Sequence, residues 1–290
     1  MPTIVEFDAS VRPDIILVST DNNGDTTHFY LHKSTLADAS SFFCGMFALP
    51  EPAVDPSCLA SMSTQSVPRI HIPEPAHIMM LALQLIYPSQ QPCVSDLDDL
   101  TVVLTVAVKY DLTPAIDSLR ALLLSPLFLE KDPLHVYAIA CRFDFDDEAK
   151  LASGWTFNAN LLDDDEVDCS LPHPSLRHIT AYDYHRLLTL HRRRAKAACA
   201  LLQAPDTVKC MCCNASVFST SKPPKWWEIW SAGAKEELKK GPATEIIFST
   251  NYVFEAARKT GCAGCTESVL HSWVFLSELK EGLSKLPRTI

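Results

Sequence analysis

Two kinds of hydrophobic pattern alternate along the first part of the chain. Residues 14–32 contain two apolar runs separated by the polar segment 21–25, whose Asp, Asn and Gly residues suit a tight turn. Alternation of hydrophobic and polar positions returns at residues 69–73. This pattern predicts a β-hairpin and, later in the chain, a third strand.

Between and after these strands, apolar positions recur at the spacing of an α-helix. One such pattern runs from Leu36 to Phe47, with Ser34 as the expected N-cap and Pro50 as the stop. Further helical patterns carry the chain to about residue 155. Their predicted positions are residues 75–87, 96–110 and 114–124, a segment opened by Asp132-Pro133, and a last helix that ends near Trp155.

The second half begins with an acidic stretch and continues as a long helix. Residues 158–178 predict an exposed linker, and Thr180 has the form of a helix N-cap. The predicted apolar stripe of this helix consists of Tyr184, Leu188, His191, Ala195, Ala198 and Leu202. The opposite face is expected to include Arg192, Arg193, Arg194 and Lys196. They are interpreted as a solvated face, with a nuclear-import or nucleic-acid patch as the alternative.

Charge is distributed unevenly along the chain. Residues 1–176 hold 8 Lys and Arg against 25 Asp and Glu, a net charge of −17, whereas residues 177–290 hold 17 against 10, a net charge of +7. The acidic part would repel nucleic acid. The longest apolar run, near residues 100–108, is too short to span a bilayer, and the N-terminus lacks the basic region of a signal peptide. These features predict an intracellular protein of the cytoplasm or the nucleus.

The sequence lacks the common motifs of enzyme active sites. It contains no glycine-rich nucleotide loop, no H-E-x-x-H and no G-x-S-x-G. Adjacent carboxylates such as Asp98 and Asp99 point about 100° apart on a helix and are expected to be solvated. No catalytic residue is predicted, and we interpret the chain as a protein without enzymatic activity.

Five of the eleven cysteines lie in two clusters, residues 210–213 and 262–265. Each cluster contains a Cys-x-x-Cys pair, and two such pairs can place four thiolates around one tetrahedral Zn²⁺. The predicted zinc ligands are Cys210, Cys213, Cys262 and Cys265, with Cys212 and His271 as alternates. Gly264 favours this interpretation, because a glycine lets backbone N–H groups approach the sulfurs.

Two other interpretations of these cysteines stay open. Buried thiols can pack as small hydrophobic groups without a metal. A redox dithiol of the thioredoxin kind would need its Cys-x-x-Cys after a strand and at the start of a helix. Here residues 254–261 predict a helix closed by Gly261, which argues against the redox interpretation.

The order of these elements resembles that of a BTB/POZ domain. The segments that carry the resemblance are residues 14–18 (DIILV), 29–33 (FYLHK), the Leu, Ser, Phe and Met-Phe positions of 36–47, residues 81–87 (LALQLIY), and residues 106–112 (VAVKYDL). The resemblance covers residues 12–125, and the whole chain is similar to the BTB proteins abundant in fungi. The resemblance implies protein–protein binding, by self-association as a homodimer or by contact with a cullin scaffold of ubiquitin ligases.

Two departures from the family pattern bear on these partners. Only 13 residues precede Asp14 in this sequence, so the helix that some relatives exchange between dimer partners is expected to be missing. Cullin-binding relatives carry a hydrophobic-x-Glu element after the Met-Phe helix. Leu49-Pro50-Glu51 occupies that place, with a proline that makes the match poor, so Leu49 and Glu51 are the candidate partner-binding residues.

The sequence therefore predicts an α+β protein with a BTB/POZ-type small mixed sheet packed by helices. The predicted domains are residues 12–125, a helical extension and acidic linker at 126–178, and a Cys-containing α-rich module at 179–290. The predicted function is that of an adaptor or scaffold with a structural zinc. The alternatives are a nucleic-acid-associated regulator that uses the basic C-terminal half and a ubiquitin-ligase substrate adaptor.

Overall fold

A computed structural model of the protein describes residues 2–8, 11–21, 24–50, 67–87, 94–159, 161–162, 174–214 and 222–290. These residues form an α+β protein in which one small mixed sheet is accompanied by thirteen α-helices. The predicted fold class is thus confirmed. The chain forms two compact units, residues 1–128 and residues 129–290.

The first unit contains a four-stranded sheet of order β1-β3-β2-β4. The strands are β1 (Thr3–Glu6), β2 (Ile15–Thr20), β3 (Thr26–Leu31) and β4 (Arg69–Ile72). β2 and β3 form the predicted antiparallel hairpin, with Ile15 opposite Leu31 and Gly24 at φ +81° in the turn. β1 runs parallel to β3, and β4 runs parallel to β2. β2 is almost entirely buried because it lies between two other strands.

The edge strand β1 was not predicted from the sequence. Its four residues are mostly exposed, so they lack the apolar run that marks a buried strand. The strand is defined by its pairing with β3, in which Ile4 lies opposite His28. Phe7, directly after β1, is buried against the rings of Phe29 and Tyr87.

Six helices follow the hairpin along the chain, two of them before β4 and four after it. They are α1 (Lys33–Ala39), α2 (Ser41–Phe47), α3 (Ala76–Ile86), α4 (Leu97–Lys109), α5 (Thr113–Leu123) and α6 (Pro126–Lys131). The prediction of a single helix from Ser34 to Phe47 is wrong, because the chain becomes extended at Ser40, where φ is −147°. Ser34 lies inside α1 and is not its N-cap.

Ser40 joins three parts of the first unit. Its hydroxyl accepts a hydrogen bond from the Phe43 backbone N–H at 3.0 Å, and therefore caps α2. The same hydroxyl donates to the backbone carbonyl of Tyr110 at 2.5 Å. Ser40 also forms an isolated antiparallel bridge with Leu112. The helix is interrupted because this residue bonds to the turn between α4 and α5.

Seven helices form most of the second unit. They are α7 (Pro133–Arg142), α8 (Asp146–Ser153), α9 (Ala181–Leu201), α10 (Lys225–Lys240), α11 (Thr250–Lys259), α12 (Cys265–His271) and α13 (Trp273–Ser284). Trp226 and Trp230 of α10 are fully buried in a core shared with α9, α11, α12 and α13. Residues 163–173 of the predicted acidic linker lie outside the described residues.

The long helix α9 confirms its predicted start and corrects its predicted faces. The Thr180 hydroxyl accepts a hydrogen bond from the Asp183 backbone N–H at 3.1 Å, as an N-cap does. Arg194 was expected to lie on the exposed basic face. It is buried instead, because its guanidinium donates hydrogen bonds to backbone carbonyls beyond α13. Arg192 and Arg193 are exposed. Within the described part of the chain, no helix combines the length and apolar character that a bilayer crossing requires.

Candidate metal centre

Four thiols converge in the second unit. The Sγ atoms of Cys210, Cys213, Cys262 and Cys265 all lie within 4.8 Å of one another. The Cys210–Cys262, Cys213–Cys265 and Cys210–Cys265 sulfur pairs are separated by 3.7, 3.8 and 3.9 Å. The structure therefore brings together the four cysteines that the sequence predicts as metal ligands.

The spacing of the sulfurs suits a tetrahedral metal. Zn–S bonds of about 2.3 Å at tetrahedral angles place neighbouring sulfurs about 3.8 Å apart. These three sulfur pairs agree with this distance to within 0.1 Å. An S–S bond would instead need about 2.05 Å, and all four cysteines are free thiols. The four cysteines could therefore hold a metal ion.

The first pair is set by a tight turn ahead of α10. The Asn214 backbone N–H donates to the Cys210 carbonyl at 3.2 Å, which closes the turn around Cys213. The Asn214 side-chain amide donates to the carbonyls of Val208 and Lys222 at 3.5 and 3.1 Å. Its oxygen accepts a hydrogen bond from the Cys210 backbone N–H. The Asn214 side chain thus holds the turn by hydrogen bonds to the backbone on both sides of it. Sequence reasoning missed this role because asparagine is common in loops.

The second pair is set by the junction of α11 and α12. Gly261 adopts φ +65° just past α11, which ends that helix and turns the chain toward Cys262. The Cys265 backbone N–H donates to the Cys262 carbonyl at 3.2 Å, and Cys265 is the first residue of α12. Cys262 therefore follows a helix, as the sequence indicated, and not the strand that thioredoxin-like chemistry requires.

Gly264 is packed against the sulfurs of the first pair. A Cβ atom at this position would lie 2.8 Å from the Cys212 sulfur and 3.2 Å from the Cys210 sulfur. Its φ of −83° is open to any residue, so the glycine is required by the close approach and not by the backbone conformation. The contact joins the two Cys-x-x-Cys segments at the centre.

A chain of buried hydrogen bonds connects both Cys-x-x-Cys segments to α10. The Trp226 indole N–H donates to the Ser268 hydroxyl at 2.9 Å. That hydroxyl donates in turn to the backbone carbonyl of Lys209 at 2.7 Å. Helix α10, helix α12 and the residue before Cys210 are therefore connected in one line. The tryptophan-rich start of α10 thus packs beside the four sulfurs, through this chain and through its buried rings.

Three of the four thiols, those of Cys213, Cys262 and Cys265, have shifted pKa values. Desolvation opposes ionisation of Cys262, but the backbone N–H of Gly264 and hydrogen bonds from the other thiols lower the pKa of Cys262 to about 7. Desolvation, with hydrogen bonds to Cys210 and Cys265, raises the pKa of Cys213 to about 12. Desolvation likewise raises the pKa of Cys265. A metal ion bound by these thiols would displace their protons, so metal binding would strengthen as the pH rises.

The other predicted site residues lie apart from this group. Cys212 is exposed, and the cluster of sulfurs does not include it. His271 is exposed at the far end of α12 from Cys265. In the first unit, Leu49 follows α2 and is 68% exposed. Glu51 lies outside the described residues.

No protein-family model matches this sequence, and no curated protein matches it.

Proposed function

We propose that the protein is a non-catalytic adaptor or scaffold whose second unit is held together by one structural Zn²⁺. The observation that carries the proposal is the closed set of four cysteine sulfurs at tetrahedral spacing. Structural zinc sites use four protein ligands, whereas catalytic sites keep one position open for water or substrate. Four thiolates leave no such position, so the metal would serve the fold and not a reaction.

The position of the four sulfurs supports a clamping role for the metal. Two ligands precede α10 and two follow α11, so one ion would close the intervening helices into a loop. Cross-linking distant parts of a chain removes entropy from the unfolded state. Metal binding to such a site contributes directly to the free energy of folding, since the site does not exist in the unfolded chain.

Zinc content tests the metal. The full-length chain, purified without chelators, should carry about one zinc per chain by elemental analysis. Cys262→Ser with Cys265→Ser should remove it. Cys212→Ser is the matched control, because it removes an exposed thiol from the same loop without touching the four ligands. A fully folded second unit without metal would overturn the proposal, and zinc loss in the control would make Cys212 a ligand.

Features of the first unit support the adaptor part of the proposal. Its sheet is small, and strands β1 and β4 lie at its two edges. Ile4 on β1 is 58% exposed, and Phe42 on α2 is 46% exposed. Exposed strand edges and apolar side chains are the surfaces through which proteins pair. Together with the resemblance to BTB/POZ domains, these surfaces favour binding of another protein or of a second copy of this chain.

Affinity capture with the tagged full-length chain tests this part. The proposal expects recovery of a protein partner from native lysate or self-association in light scattering. Recovery of a cullin that Glu51→Ala loses would identify a ubiquitin-ligase adaptor. A strictly monomeric chain that retains no partner would refute the adaptor function. Binding to DNA or RNA at low salt would favour the nucleic-acid alternative, since phosphate contacts are strongest there.

A further inference from the structure

The second unit contains a cavity of about 480 Å³ that lies along α9. One wall is α9, and the other is formed by the segment that follows α13, including Pro287, Thr289 and Ile290. Its volume falls within the range of about 300–1,000 Å³ that small-molecule sites occupy. The metal ligands are not part of its lining.

The wall on α9 consists of two neighbouring rows of side chains. Thr189 and Arg193 belong to one row, and Arg186 and Leu190 belong to the next, each pair four residues apart. Residues four apart share a helix face, so both rows point to the same side. The helix thus presents arginines and apolar groups together along one wall.

The opposite wall is held in place by main-chain contacts. The Arg194 guanidinium donates to the carbonyls of Leu286 and Pro287 at 2.7 and 3.0 Å. The Ile290 backbone N–H donates to the Ser153 hydroxyl at 3.2 Å. A Cβ at Gly154 would lie 2.9 Å from the Arg288 carbonyl oxygen, so the segment passes close over the end of α8. The cavity is therefore formed before any ligand binds.

The arginine side chains that line the cavity are positive and only partly compensated. Arg186 is 3.7 Å from Asp183 and 3.8 Å from Asp146, which offset its charge. Arg193 is exposed and has no ion pair with any residue that the structure describes. The buried Nε–H of Arg194 likewise lacks a hydrogen-bond partner among the described residues. Because that Nε is closed to solvent, Arg193 and Arg186 are the cationic groups that an anion in the cavity would meet.

We infer that this cavity binds an organic anion that carries an apolar chain. The anionic head would be bound by Arg193, with Arg186 beside it, and Thr189 can donate a hydrogen bond. The chain would lie against Leu190, Pro287 and Ile290, which supply the apolar part of the lining. This inference does not depend on the zinc or on the adaptor function.

Calorimetric titration of the full-length chain with decanoate tests the inference. Decanol carries the same chain without the charge, and acetate carries the charge without the chain. Decanoate should bind at concentrations below its micelle threshold, and the two partial probes should bind at least about tenfold more weakly. Arg193→Gln should weaken decanoate binding by about 10- to 100-fold, as loss of a charged hydrogen bond does.

Arg192→Gln is the matched control, since Arg192 is exposed on the same helix and does not line the cavity. Its affinity for decanoate should equal that of the unmodified chain. No decanoate binding, or equal binding to the Arg193→Gln variant, would overturn the inference. Equal binding of decanol would show that the cavity does not select an anion, and would overturn it as well.

Discussion

The guanidinium of Arg194, in the middle of α9, donates a hydrogen bond to the main-chain carbonyl of Leu286, 2.7 Å away and just past the end of α13. It donates also to the carbonyls of Leu283 and Pro287 at 3.1 and 3.0 Å. The last carbonyls of a helix have no partner within the helix. Arg194 supplies partners for the end of α13, and a positive charge is favourable there.

Replacement of Arg194 should therefore destabilise the second unit. Arg194→Gln removes one donor from each of the three carbonyls, of which Leu283 keeps the Leu286 backbone N–H. We expect a loss of about 2–4 kcal/mol in the free energy of unfolding. Arg194→Lys should recover only part of it, because an ammonium cannot reproduce the planar fork of the guanidinium. Urea unfolding followed by tryptophan fluorescence measures the change. Arg192→Gln, at an exposed position, should stay within about 0.5 kcal/mol of the unmodified chain.

Gly264→Ala should weaken the metal centre without removing a ligand. The added methyl would lie 2.8 Å from the Cys212 sulfur and 3.2 Å from the Cys210 sulfur, so these side chains must shift. We expect zinc affinity, measured by competition with a chromophoric chelator, to fall by about 10- to 100-fold.

Gly282→Ala offers the matched comparison for that change. Gly282 lies in α13, and a Cβ there meets nothing within 4 Å. Zinc affinity should be unchanged, and helix stability should rise by about 0.5–1 kcal/mol. Unchanged zinc affinity in Gly264→Ala would mean that the close approach is not required for metal binding.

His191 should make the second unit sensitive to acid. The ring is fully buried, and its Nε2 lies 2.9 Å from the Thr156 hydroxyl. Burial lowers the pKa of His191 from 6.5 to about 4. Between these values the unfolded chain binds a proton that the folded chain does not, so stability falls as pH drops from 6.5 toward 4. The full effect is about 3 kcal/mol.

A variant that cannot titrate isolates this contribution. His191→Gln should lose less stability than the unmodified chain between pH 7 and pH 5 in urea unfolding, even if it is less stable at pH 7. The comparison cancels acid effects on the thiols, which both proteins share. Parallel pH profiles for the two proteins would show that His191 does not titrate in this range.

Ser40→Ala tests the break between α1 and α2. The change removes the cap of α2 and the hydrogen bond to the Tyr110 carbonyl, and should cost about 1–3 kcal/mol in the free energy of unfolding. Ser34→Ala should be nearly neutral, because Ser34 is an exposed residue within α1. The reverse order of effects would restore Ser34 as the helix cap.

Local pattern was sufficient where neighbouring residues decide the structure. The hairpin of β2 and β3 follows from two apolar runs around Gly24, and α9 begins at Thr180 because its hydroxyl bonds three residues ahead. The Cys-x-x-Cys pairs likewise identified the four sulfurs that converge. In each case the interacting groups lie within a few residues of one another, or belong to a residue type with few roles.

Tertiary structure decided the features that depend on distant partners. Strand β1 exists through pairing with β3, and Ser40 breaks a helix because it bonds to Tyr110, seventy residues away. Arg194 is buried because it donates hydrogen bonds to carbonyls at the end of α13, although the two residues before it are exposed arginines. The sequence by itself determined the hairpin, most helices and the four cysteines that converge, because their signals are local. The edge strand, the helix break and the buried arginine were decided only by the folded chain, which alone brings their hydrogen-bond partners together.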